Sequence, residues 1–141
     1  MAGTISGVLT RIQTQQGRPQ MAKLTLTCVG DASDGGFPAT VLNDLQTEYD
    51  LRGLQLYSIK VIPGLTAPTD SSDITITDED GVDLLGAKGT NLISATLKTW
   101  ALFGPSGYTV SALITGDVTI NISNNIVHSA TIKIIIELIG V

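Results

Sequence analysis

Apolar and polar residues alternate with a period of two along most of this chain, and that period predicts strands with one face on a core and one toward water. In QMAKLTLTCVG, Ala22, Leu24, Leu26 and Cys28 fall on one face, while Lys23, Thr25 and Thr27 fall on the other. In DITIT, Ile74 and Ile76 oppose Thr75 and Thr77, and in DVTINIS, Val118, Ile120 and Ile122 oppose Thr119, Asn121 and Ser123. Tyr108, Val110, Ala112 and Ile114 share a face in YTVSALI. Gly3–Gln13 and Leu51–Ile62 read as two further strands. The last strand is the most apolar: Ala130, Ile132, Ile134, Ile136 and Leu138 line one face, and Thr131, Lys133, Ile135, Glu137 and then Ile139 the other. Such a strand is either central and covered on both sides or used at a subunit contact.

Turn residues punctuate the pattern. Gly116-Asp117 lies between two alternating runs and predicts a two-residue type II′ hairpin, with Gly taking the positive φ. Asn124-Asn125 marks another turn. GDASDGGFP (30–38) and PGLTAPTDSSD (63–73) are loops, the second rich in prolines that cannot donate to a ladder. Two segments admit a helix. VLNDLQTEYDL (41–51) sets Val41, Leu42, Leu45 and Tyr49 at helical spacing, and NLISATLKTWAL (91–102) fits helix and strand equally. Eight or nine short strands with little helix predict an all-β antiparallel sandwich, jelly roll or barrel, because a half-apolar sheet must bury its face on another. No linker or repeat divides the 141 residues, so one domain over 1–141 is expected.

Composition sharpens this picture. Aromatics are only 4% of the chain, so the core must be aliphatic. The net charge of −5 and eight scattered basic residues speak against nucleic acid and against an anionic membrane. Glu137 stops the run Ile134–Ile136, far short of the roughly 20 apolar residues of a membrane helix. MAGTISGVLTR has neither a basic n-region nor an apolar h-region, and one cysteine, Cys28, cannot form an internal disulfide. Assembly in a cytoplasm fits these features.

Candidate chemistry is sparse. Five of the thirteen acidic residues fall within Asp73–Gly86. Counted as a calcium loop from Asp78, position 3 is Asp80, but Val82 and Asp83 occupy positions 5 and 6 and no glutamate closes the loop. A looser cation site on Asp78, Asp80 and Asp83 is the weaker alternative to a type I turn with Gly81 in the left-handed position, a G1 bulge. Turn-tip carboxylates stay hydrated, which disfavours glycosidase-like chemistry. His128 is the single histidine, no GxSxG accompanies it, and Cys28 sits on an apolar face. A Cys28–His128 pair stays open as a minor reading, but a zinc site lacks ligands. No catalytic, metal-binding or cofactor-binding residue is expected. Trp100, Phe103 and Tyr108 flank GPSG (104–107) and are either contact anchors or core fillers.

The run from Leu56 to Thr96 resembles a pattern of small virion proteins of tailed phages: PG-x-TAPTD at Pro63–Asp70, then D-[IV]-T-[IV]-TDEDG-[VL]-D at Asp73–Asp83, and later DVTINISNN at Asp117–Asn125. The loop with DAS-DG at Asp31–Gly35 resembles it too, and the likeness spans about half the chain. The chain departs from plainer members in a longer 84–108 segment and an isoleucine-rich C-terminus. The family is that of head decoration or cement proteins, above all the jelly-roll cement type of short-tailed Bordetella phages. The resemblance implies a non-enzymatic virion protein on the outside of the head. It would be a homodimer, with a trimer as alternative, binding the major capsid protein. It supplies no site residues. Contact surfaces are expected around Thr4, Ile5, Val8 and Leu9, around Trp100 and Phe103, and along Ile132, Ile134, Ile135, Ile136, Leu138 and Ile139. The rival readings are a tail or head-fibre component, a carbohydrate- or calcium-binding adhesion sandwich, and a hydrolase built around His128.

Overall fold

A computed structural model of the chain describes residues 2–12, 21–45, 51–104 and 112–140. Nine strands occur among them: β1 (Thr4–Ile12), β2 (Met21–Val29), β3 (Thr40–Val41), β4 (Leu54–Pro63), β5 (Asp73–Thr77), β6 (Thr99–Leu102), β7 (Ala112–Leu113), β8 (Thr119–Ser123) and β9 (Thr131–Gly140). They form a six-stranded sheet ordered β1-β2-β9-β4-β6, with β7 also on β4, and a three-stranded sheet ordered β3-β8-β5. All pairings are antiparallel. The protein is an all-β antiparallel sandwich.

The alternation read in the sequence becomes burial. In β2 the set Ala22, Leu24, Leu26 and Cys28 is buried, and in β9 the set Ile132, Ile134, Ile136 and Leu138. These meet Ile74, Ile76, Ile120 and Ile122 of the small sheet in one core, joined by Leu42, Leu51, Leu85, Ile93 and Phe103. Each such side chain withdrawn from water stabilises the fold by roughly 1.5–3 kcal/mol. The aliphatic core expected from the low aromatic content is present.

One expected element is described only in part, and another needs correction. Within 41–45 there is a single 3-10 turn, Leu42–Asp44, and the rest of the expected helix, residues 46–50 with Tyr49, lies outside the described residues. Leu42 enters the core and Leu45 packs against it. Gly116-Asp117 is not a hairpin. The strands it links belong to different sheets, since β7 pairs with β4 whereas β8 pairs with β3 and β5. Gly116 is also absent from the positive-φ residues. The segment is therefore a crossover between layers. The open case at 91–102 resolves as turns followed by β6. Tyr108, Val110 and residues 105–107 of GPSG lie outside the described residues.

β4 carries a bulge between Leu56 and Ser58, where its register with β9 shifts by one. Tyr57 turns out to solvent, while Ser58 is buried and its Oγ is unpaired. An unpaired buried hydroxyl costs stability. Ser58→Ala is therefore expected to be neutral or to stabilise by about 1 kcal/mol. A urea titration that gave a clear loss would show that Oγ has a partner after all.

Candidate functional site

The acidic segment builds a loop scaffold. Gly81 has φ +80°, and its N–H donates to the Asp78 carbonyl at 3.1 Å, giving the expected turn with a left-handed glycine. Asp78 Oδ1 accepts from the N–H groups of Asp80 (2.9 Å) and Val82 (3.0 Å). Asp83 accepts from Ile76, Leu85 and Ala87 N–H groups at 3.0–3.2 Å. Asp73 accepts from the Asn91 N–H at 2.7 Å and from the Asn124 side-chain amide. Glu79 Oε1 accepts the Asp117 N–H at 3.0 Å. After the turn the chain makes only an isolated bridge, Thr77↔Asp83, and continues in further turns.

Nothing here collects a reactive set. Among the described residues no three His, Cys, Asp or Glu side chains are grouped to hold a metal ion. A crevice of about 60 Å³ beside Asp78, Glu79, Asp80 and Gly116 is too small to enclose a sugar. Cys28 is fully buried, and desolvation pushes its thiol up to about 12, far from the thiolate form that reacts at neutral pH. His128 is exposed in a loop, so the minor Cys28–His128 reading has no geometry behind it.

One carboxylate is tuned. Asp31 Oδ1 accepts from Ser33 Oγ (2.5 Å), Ser33 N–H (2.6 Å) and Asp34 N–H (3.4 Å). These bonds, the Ser33 hydroxyl foremost, hold its carboxyl below the usual 3.8. The folded value is lowered, so this contribution is fully present above about 3.8 and is lost as pH falls through the lower folded value. In an NMR acid titration the Ser33 and Asp34 amide shifts are expected to include a step with its midpoint below 3.8, and Asp31→Asn is expected to abolish that step.

The surface feature that stands out is the outer face of the six-stranded sheet. The registers set two rows across it. Val8, Thr25, Ile135, Lys60 and Trp100 form one, and Ile12, Met21, Ile139, Gln55 and Leu113 the other. Between them Thr10, Lys23 and Glu137 align, and Lys60 Nζ lies 2.6 Å from Glu137 Oε1. Val8 is 66% exposed, Trp100 57% and Leu113 52%. Tyr57, Ile12 and Met21 are exposed as well.

The expected contact residues divide across the two faces of the sheet. Thr4, Val8, Ile135, Ile139 and Trp100 lie on the outer face, where a partner could reach them. Ile5 and Leu9 turn inward and pack against the core. Ile132, Ile134, Ile136, Leu138 and Phe103 are at most 2% exposed, which corrects their assignment as contacts. They hold the two sheets together. Sequence reasoning missed Ile12, Met21, Lys23, Lys60, Leu113 and Lys133 as members of the outer surface. Their odd or even positions were visible, but only the cross-strand registers bring them together. No known protein family and no curated protein matches the chain.

Proposed function

We propose that the chain is a non-enzymatic capsid decoration, or cement, protein that binds the outside of a phage head and strengthens contacts between major capsid proteins. The observation that carries this reading is the outer face of the six-stranded sheet with its exposed Val8, Ile12, Met21, Trp100 and Leu113, beside polar loops that serve turns. Large apolar side chains exposed together on one sheet face, here with Thr25, Lys60 and Gln55 between them, fit a protein contact. The strand order supports the reading: β2-β9-β4-β6 in one sheet and β3-β8-β5 in the other is the order that a jelly-roll winding would give. β1 then adds an edge strand, and the bridge Ser72↔Ile93 stands for the shortened fourth strand of the small sheet. The phage-type motifs fall on its structural turns at Pro63–Asp70, Asp78–Gly81 and Asn124-Asn125. In this reading the protein acts as a homodimer, assembles in the host cytoplasm and resides on the virion.

A clamp repeated over a closed lattice needs only modest contacts, because the repeats act together. Cosedimentation of the purified chain with expanded, undecorated heads tests the reading. Saturable binding at a fixed ratio to the major capsid protein is the expected result, and failure to bind well-formed heads would sink it. Exposed Trp100 and Tyr57 favour a second reading, an adhesion module stacking sugars. Retention on a glycan array without head binding would select it, and binding to isolated tails would select a tail component.

A further inference from the structure

The outer face differs in charge from the rest of the molecule. Lys23, Lys60 and Lys133 point from it, and Glu137 is its one acidic residue among those described. Three lysines against one glutamate give a formal +2, in a chain whose total is −5. The acidic residues concentrate instead at Asp73, which opens β5, and in the loops at 31–34, 70, 78–83 and 117. Basic residues that look scattered along the sequence are thus gathered by strand register. Glu137 sits directly opposite Lys23 and pairs with Lys60, so Lys133, flanked by Thr27 and Ile62, has no acidic residue across from it in the register.

We propose that this face docks on a flat, acidic protein surface with an apolar centre and does not pair with a second copy of itself. The partner is the outer surface of the head shell, so the proposal rests on the cement reading above. Two arguments lead there. The first is charge: a face-to-face pair of identical chains would bring two faces of formal +2 together across a desolvated contact, whereas an acidic surface complements them. The second is area. Five strands at about 4.8 Å spacing and roughly nine residues at about 3.4 Å rise cover on the order of 700 Å², close to the ~800 Å² each partner contributes to a stable complex. Three lysines over such an area are too sparse for a polyanion, and the exposed apolar residues of the two rows, Val8 and Trp100 in one and Ile12, Met21 and Leu113 in the other, need an apolar counterpart. Trp100 is then the anchor and the lysines set register and salt dependence.

The test uses the full chain and expanded, DNA-free heads. Wild type, Trp100→Ala, Lys133→Glu and the off-face control Leu97→Ala are cosedimented from low to high salt, with thermal melts and sizing of the free proteins. The expected result is wild-type binding that weakens with salt and falls at least roughly tenfold in each face variant. Leu97→Ala, melts and free-protein size should be unchanged. Wild-type binding that ignores both face substitutions would overturn this proposal and leave the cement reading standing. A drop in free-protein size with Trp100→Ala would assign the face to a second copy and also overturn it. Retention of wild type on a DNA column would do the same in favour of a polyanion. No wild-type binding to heads would remove the cement reading and this proposal together.

Discussion

Gly89→Ala is expected to be among the most damaging single-methyl additions in the protein. The Gly89 carbonyl accepts the Ile74 N–H at 2.9 Å, tying the 83–92 turns to β5. A Cβ at residue 89 would overlap the Ile74 carbonyl oxygen, a backbone atom of β5, whose strand is held in place by its pairing with β8. Relief requires moving β5 or abandoning the turn. Overpacking of this kind costs about 1–3 kcal/mol when side chains can yield, and here a strand must yield, so a loss of about 3 kcal/mol or more is expected. Denaturant unfolding checks it. A loss below 1 kcal/mol would show that the 83–92 segment can lift off β5 without loosening the sandwich.

Asn125 carries the second large effect. Its side chain is buried and joins three loops. Oδ1 accepts the Thr69 N–H at 2.8 Å, and Nδ2 donates to the carbonyls of Gly35 (2.6 Å) and Val127 (3.1 Å). Asn125→Ala leaves these groups unpaired, at an expected cost of about 2–4 kcal/mol. Asn125→Asp is expected to be worse near neutral pH, because a carboxylate would face two carbonyl oxygens. Its penalty should shrink on acidification, as the protonated carboxyl regains a donor. Melts of both variants across pH decide the matter. Equal stability of the two at pH 7 would mean that the loops re-form around water.

Asn125 also shows where sequence reading stops. Asn124-Asn125 reads as a turn, and Asn124 does take φ +68°, yet nothing local says that the next residue will anchor loops 56 and 90 positions away. The strands themselves were legible, because in β2 and β5 one face is apolar and the other polar. β9 was the hard case. With isoleucine on both faces, the period of two shows which residues go together but not which set meets the core. That choice depends on the neighbours, where Leu24 and Leu26 lie opposite Ile136 and Ile134. The outer face was illegible for the same reason, since Val8, Ile135 and Trp100 are joined only by registers through β2, β9 and β4. Gly116-Asp117 failed differently. A turn between two alternating runs does not tell whether the chain returns to the same sheet or crosses to the other.

The single cysteine gives this molecule a built-in clock. Cys28 lies between β1 and β9, paired with Ile5 and Ile132, and no solvent reaches it while the sandwich is closed. A thiol reagent can then react only during the moments when these strands part, so the labelling rate counts openings of the large sheet. No probe has to be engineered in. If a partner seats on the opposite face of the same strands, the clock should slow in proportion to how firmly it holds them shut.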